Sequence, residues 1–235
     1  MIPLRDDQPT FSTPFINYFL IVANVLVFLW EFSIEMQSRR ALNALLLDFA
    51  VVPHHQIAAL TGHSQAGPIS AILPLFTSMF LHASWLHVAG NMLFLWIFGD
   101  NVEDYLGHFR YLLFYLASGI AAGITHILLN ANSPVPSVGA SGAIAGVMGA
   151  YFILYPRARV LTWFPPIFFF HVPAWLMLGY WFFVQFLSGA ATSIAETTQS
   201  TGGIAFWAHV GGFVAGVLMI KVLGERPHRY RYGTW

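Results

Sequence analysis

The sequence has no cysteine and few charged residues. Its 235 residues include ten basic and ten acidic side chains, so only 9% are charged and the net charge is zero. The lack of cysteine excludes disulfides, thiolate catalysis and cysteine metal sites. The balanced charge gives no attraction for nucleic acid. About a quarter of the residues in a typical soluble domain are charged, so a soluble fold is excluded as well.

Apolar residues are abundant instead. They make up 57% of the chain, and the mean hydropathy is +0.65, which indicates an integral membrane protein. A helix that crosses a bilayer needs about 20 mostly apolar residues. The sequence predicts a single-domain, all-α bundle (1–235) with six such helices, near residues 15–33, 85–102, 110–129, 138–155, 173–189 and 203–223.

The distribution of Lys and Arg predicts the orientation, because cytoplasmic loops hold these residues preferentially. With both termini in the cytoplasm, eight of the ten basic residues lie inside, and only Arg39 and Arg40 lie outside. We therefore expect an inner segment 1–13, a long outer loop 34–84 that is partly interfacial, and a basic inner tail 224–235. The first span is too long for a signal-peptide core and should be retained.

Polar side chains within the spans are few, and such groups usually face the protein interior. Four stand out: His87 and Asn91 in the second span, Ser141 in the fourth and His209 in the sixth. All three spans enter from the outer side, which places these side chains at a shared depth of roughly 3 to 13 Å. His87 and Asn91 are four residues apart and therefore lie on one helical face.

A metal site finds little support. The zinc-protease sequence HExxH does not occur. His82 and His87 are five residues apart and would diverge by about 140° around a helix axis. We expect no metal and no organic cofactor, and we assign structural or cavity-lining roles to His82, Gly139, Gly142 and Gly212.

Ser141 should lie in the first turn of its helix, after the helix breakers in NSPVPSVG. Backbone N–H groups there have no intrahelical partner, and the helix dipole adds partial positive charge. An anion formed during acyl transfer would be stabilised at this position. A serine nucleophile also needs a base, usually a neutral imidazole, and His209 lies at a suitable depth.

Small residues could bring Ser141 and His209 together, because small-xxx-small faces let helices approach closely in lipid. They occur on the fourth span at Gly142, Ala145, Gly146 and Gly149, and on the sixth at Gly211, Gly212, Ala215 and Gly216. Two alternatives remain open at this point. Ser141 could be a packing residue, and His209 could be a proton relay or a structural hydrogen bonder.

Two other arrangements can be rejected. GASG differs from the GxSxG nucleophile elbow because its last position is Ala143 and no strand precedes the serine. Glu103 and Asp104 end the second span on the inner side, some 20 Å or more away across the bilayer core, so neither can complete a triad. A catalytic unit here would be a dyad.

The sequence resembles the rhomboid family of intramembrane serine proteases. The resemblance rests on HVAGN at 87–91, GASG at 139–142, AHVGG around His209, and GDNVEDYLGHFR, which is similar to the family's GxxxExxxG segment. It extends over roughly 77–223, with six spans in matching order. Three separate motifs in the correct order make the resemblance specific.

The resemblance implies roles for individual residues. Ser141 would be the nucleophile and His209 the general base, with His87, Asn91 and the Ser141 backbone N–H stabilising the oxyanion. It also implies cleavage of transmembrane segments of other proteins near their outer ends, with water reaching the site through a cavity open to the outside. Ala145 departs from the family, because many bacterial members carry an aromatic residue there, stacked on the histidine.

The predicted function is therefore an intramembrane serine endopeptidase in the plasma membrane, with transmembrane proteins as substrates and lipid as its surroundings. The fifth span and the loop 190–203 are its hypothesised gate. A catalytically silent relative, or a small transporter that binds a client helix or solute, is the alternative. The amino terminus is not an Arg-rich amphipathic helix, so a mitochondrial address has no support in the sequence. The oligomeric state is not predicted.

Overall fold

The computed structural model describes residues 1–63, 67, 69–194 and 205–224. The fold is the predicted all-α membrane bundle. Its helices are α1 (Phe15–Gln37), α2 (Arg39–Phe49), α3 (Pro53–Leu60), α4 (Ile69–Thr77), α5 (Trp85–Leu106), α6 (His108–Leu129), α7 (Ser141–Leu154), α8 (Ala174–Ile194) and α9 (Phe206–Leu223). Each of the six predicted spans overlaps one of α1, α5, α6, α7, α8 and α9.

Among the described residues, four helices are long and apolar enough to cross a membrane: α1, α6, α8 and α9. A fifth candidate is the pair formed by Ile69–Phe80 and α5, which are bent by 81° relative to each other. No membrane is part of the structure, so the orientation of the bundle stays a prediction. We call the end where α5 and α7 begin the outer end, and the end where they finish the inner end.

Helix α7 is shorter than the predicted span 138–155. It has 14 residues, or about 21 Å, whereas the hydrocarbon core is about 30 Å thick. Every residue from Gly142 to Tyr151 is buried. Because α7 is enclosed by other helices instead of lipid, its length need not match the thickness of the bilayer.

The boundaries of other predicted segments also change. Helix α1 continues to Gln37 and α8 to Ile194, past the predicted ends at 33 and 189. The outer loop 34–84 contains three short helices, α2 to α4, and a 3-10 turn at Ser78–Phe80. Its interfacial position stays a prediction. Residues 225–235 of the basic tail and 195–203 of the hypothesised gate lie outside the described residues.

A three-stranded antiparallel sheet was not predicted. It consists of β1 (Ile2–Asp6), β2 (Arg159–Phe164) and β3 (Phe168–Pro173), in the order β1-β2-β3. Aromatic and β-branched residues favour strands, and Pro165 and Pro166 form the turn between β2 and β3.

The inner end of α1 is held by two carboxylates of α5. Glu103 is fully buried and accepts hydrogen bonds from the backbone N–H groups of Ile16 at 3.0 Å and Asn17 at 2.7 Å. Asp104 accepts one from the N–H of Ser12 at 2.8 Å. The bonds to Glu103 satisfy N–H groups that a helix start leaves without partners, and the bond to Asp104 holds the segment just before the helix. Both carboxylates thus bind the inner end of α1.

Candidate active site

Ser141 is the first residue of α7 because the chain turns sharply just before it. Gly139 has a φ of +129°, a conformation that favours glycine, and its N–H donates to the carbonyl of Ser78 at 2.9 Å. Ala140 is the N-cap residue, and its carbonyl accepts from the N–H of Ile144 at 2.9 Å. Ser141 therefore lies in the first helical turn, at the outer end, as predicted.

Glycines allow α9 to pack closely against α7. A Cβ on Gly212 would clash with the carbonyl oxygen of Gly142, and a Cβ on Gly216 would clash with that of Gly146. Since these obstacles are backbone atoms, they cannot rotate away as a side chain could. The structural role predicted for Gly142 and Gly212 therefore has a physical explanation. These glycines allow α7, which carries Ser141, and α9, which carries His209, to lie close together.

Ser141 and His209 are in hydrogen-bond contact. The distance between His209 Nε2 and Ser141 Oγ is 2.8 Å. His209 is only 8% exposed, whereas Ser141 is partly exposed to a cavity. The predicted approach of the two helices thus brings a hydroxyl and an imidazole nitrogen together.

The other ring nitrogen of His209 contacts Gln185 of α8. The distance from Nδ1 to Gln185 Oε1 is 2.7 Å, and Gln185 is buried. An amide oxygen can only accept, so Nδ1 carries the proton and Nε2 is left to accept the hydroxyl proton of Ser141. The hydrogen bonds therefore define the tautomer that a general base requires.

Trp181 provides an aromatic ring beside His209. The ring centroids are 5.5 Å apart, with an interplanar angle of 38°. Ala145 is fully buried and supplies no ring, so the aromatic neighbour comes from α8 instead of α7. Trp181 and Gln185 are four residues apart, on one helical face. That spacing, and an amide within the apolar run WLMLGYWFFVQFL, are the signals that could have revealed both residues.

His87 and Asn91 lie on one face of α5, as their spacing predicts, beside the turn that precedes Ser141. A Cβ on Gly139 would lie 2.8 Å from His87 Nε2 and 3.6 Å from Asn91 Nδ2. Asn91 is buried, and its Nδ2 has no hydrogen-bond partner. A buried donor without a partner is costly, so this amide is available for an acceptor that enters the cavity.

Two cavities meet at the side chains of His87, Asn91, Ser141 and His209. One, of about 550 Å³, is lined by these four residues together with Ala83, Ser84, Leu86, residues 136–138 and Ala205. The other, of about 220 Å³, lies between α5 and α8 and is lined by Gly90, Phe94 and Trp181 besides the same four residues. The site is therefore open both outward and sideways.

The position of His82 differs from the expectation that its ring points away from that of His87. Its ring centroid lies 5.1 Å from that of His87, although a helical spacing of five residues predicts divergence. The reason is that α5 begins at Trp85, so His82 is not on the helix. It is buried, and its backbone N–H donates to Glu31 at 3.0 Å, as expected for a structural residue. In the described part of the chain, no three His, Cys, Asp or Glu residues are grouped to hold a metal ion.

Comparisons with known proteins agree with the resemblance. The Rhomboid domain family matches residues 70–226, more than half of the chain. Over 154 residues (64% of this chain and 41% of the relative), the sequence is 33% identical to Rhomboid protein 1, mitochondrial, of Saccharomyces cerevisiae. It is 29% identical to the mouse Presenilin-associated rhomboid-like protein, mitochondrial, over 190 residues (77% and 46%).

A bacterial relative is named as a protease. The chain is 34% identical to Rhomboid protease GluP of Bacillus subtilis over 146 residues, which are 62% of this chain and 25% of that protein. The chain thus covers less than half of each of these relatives. With the family match, the motifs and the helical bundle taken together, this multi-pass membrane protein belongs to the rhomboid family.

Proposed function

We propose that the protein is an intramembrane serine endopeptidase that uses Ser141 and His209 as its dyad. The observation that carries the proposal is the contact of 2.8 Å between Ser141 Oγ and His209 Nε2, with Nδ1 held by Gln185. Membership of a family that includes a protease supports it. A packing serine or a structural histidine would not require this tautomer and this cavity.

In the first half of the reaction, the Ser141 hydroxyl transfers its proton to His209 Nε2 while Oγ attacks the carbonyl carbon of the substrate. The tetrahedral intermediate collapses when His209 returns the proton to the leaving amine nitrogen, and the acyl group stays on Oγ. In the second half, His209 deprotonates a water molecule that attacks the acyl carbon; the second tetrahedral intermediate then collapses, the bond from Oγ to the acyl carbon breaks, and His209 returns the proton to Ser141 Oγ. Gln185 Oε1 accepts a hydrogen bond from Nδ1–H throughout, and it does so as a neutral group.

The oxyanion of the intermediate requires donors that are already in position. Asn91 Nδ2 is a buried donor without a partner, and His87 lies beside it on the same helical face. The backbone N–H of Ser141, in the first turn of α7, is the third donor. We propose that these three groups bind the oxyanion, as the resemblance implies.

The proposed substrates are transmembrane segments of other proteins. The cavity of about 220 Å³ between α5 and α8 offers a sideways entrance, and the larger cavity offers water a route from the outer end. We further propose that α8 acts as the gate and that the protein resides in the plasma membrane with its site open to the extracytoplasmic side.

Reconstitution in liposomes with a generic transmembrane substrate tests the proposal. We expect wild-type protein to cleave, and Ser141→Ala and His209→Ala to fall to background while retaining the wild-type unfolding temperature. A fluorophosphonate should label the wild type but not Ser141→Ala. Cleavage that survives Ser141→Ala would refute the mechanism. A folded wild type without activity on any transmembrane substrate would favour a silent relative or a transporter.

A further inference from the structure

The tip of the β2–β3 hairpin exposes a group of large apolar side chains that the proposed function does not use. Ile167, Phe168, Phe169 and Phe170 are 72%, 54%, 56% and 55% exposed. Successive strand residues point to opposite faces, so aromatic rings project from both faces of the tip. No charged residue occurs between Arg159 and Glu196. A soluble surface rarely exposes such a patch without a partner.

The hairpin lies alongside the membrane-spanning helix α8. Thr162 of β2 donates to the sulfur of Met177 at 3.5 Å. A cavity of about 410 Å³ is bounded by Phe164 and Val172 of the hairpin and by Tyr180 of α8. Tyr180 is six residues beyond the start of α8, or about 9 Å along its axis. The hairpin therefore runs beside the first two turns of α8 and does not extend away from the bundle.

The neighbouring surface of α8 faces lipid. Trp175, Tyr180 and Phe183 are 51%, 56% and 57% exposed on a helix that is apolar and long enough to span the bilayer. Tryptophan and tyrosine near the end of a spanning helix are typical of the membrane–water interface. Phe164, at the end of β2, and Tyr180 line the same cavity, so the hairpin adjoins this surface and we expect the same lipid layer to cover both.

The polar groups of the hairpin suit the interface. The indole N–H of Trp163 donates to the carbonyl of Pro166 at 3.1 Å, so the ring can enter an apolar environment without an unpaired donor. Strand β3 is an edge strand of the sheet, and open edges do not occur in the hydrocarbon core. At the base of the sheet, Arg157 and Arg159 are exposed. The interfacial layer accommodates all of these features.

From these contacts we infer that the β2–β3 hairpin inserts its aromatic tip into the inner membrane–water interface and anchors the inner end of α8 to lipid. The occupant of the patch is the lipid surface. Because α8 is held at this end by the hairpin, any outward movement of the helix takes place at its outer end, beside Gln185 and the cavity.

A nitroxide label on a single introduced cysteine tests the inference, since the natural chain has no cysteine. Phe169→Cys is placed at the tip, with Ile167→Cys as a second tip position and Arg157→Cys as the control at the base. Each full-length protein is checked for a wild-type unfolding temperature, reconstituted in lipid nanodiscs, and examined by EPR for collisions with oxygen and with a soluble nickel chelate.

We expect both tip labels to collide mainly with oxygen, at a depth of about 5–10 Å below the headgroup boundary, and the label at position 157 to collide mainly with nickel. Tip labels as accessible to nickel as the control would overturn the inference. So would spin–spin broadening at the tip that disappears when labelled protein is diluted with unlabelled protein, because a second copy of the chain would then cover the patch.

Discussion

Replacing Gln185 with leucine tests how the candidate base is positioned. Leucine keeps much of the buried volume but removes the acceptor for His209 Nδ1–H, which lies 2.7 Å from Oε1. A buried donor left without its partner costs about 1–3 kcal/mol. If this free energy destabilises the tautomer and orientation of His209 that the reaction requires, kcat decreases about 5- to 160-fold. KM should change little, because Gln185 contacts the histidine and not the cavity residues that would hold substrate.

The assay is cleavage of a transmembrane substrate in liposomes, with kcat and KM determined separately. Gln185→Glu retains an acceptor and should recover most of the lost kcat. Ser188→Ala, one turn further along α8, is the matched control and should behave as wild type. A Gln185→Leu protein with wild-type kcat would refute the positioning role. Equal losses in Gln185→Leu and Gln185→Glu would contradict the idea that an acceptor for Nδ1–H is what Gln185 contributes.

Three further predictions concern packing, the oxyanion and pH. Gly212→Ala places a Cβ against the carbonyl oxygen of Gly142 and should lower stability by about 1–3 kcal/mol, seen as a lower unfolding temperature. Gly90→Ala, whose Cβ would meet nothing within 4 Å, should not. Asn91→Ala should lower kcat by about 10²- to 10³-fold at an unchanged unfolding temperature; a wild-type kcat would exclude Asn91 from the oxyanion site. Burial raises the pKa of Asp6, so the folded state favours its neutral form and stability decreases as pH rises through that pKa. Asp6→Asn should remove this part of the pH dependence in thermal unfolding between pH 4 and 8, and an unaltered profile would contradict it.

The sequence is sufficient to predict the contact between Ser141 and His209. Each residue lies in a short local motif, and the small residues around both indicate a close crossing of their helices. The shared helical face of His87 and Asn91 also follows from their spacing along α5. These predictions succeed because they depend on helical periodicity and on polar groups that are rare in an apolar chain.

Gln185 and Trp181 could not be found in the same way. Their helix carries no motif, and whether Gln185 faces the bundle or lipid depends on how α8 is rotated. That rotation is decided by tertiary packing. The β2–β3 hairpin was missed for a related reason, because a short apolar run between prolines suits a strand as well as a broken helix. His82 was misjudged because the start of α5 was needed before helical geometry could be applied.

The short length of α7 has a consequence for biosynthesis. A 14-residue helix is too short to be a stable span on its own, and Gly142 to Tyr151 are buried by neighbouring helices. We therefore expect its stable insertion to depend on packing against neighbouring helices, including α9, which is synthesised later. The contact between Ser141 and His209 therefore forms only when α7 and α9 have packed together.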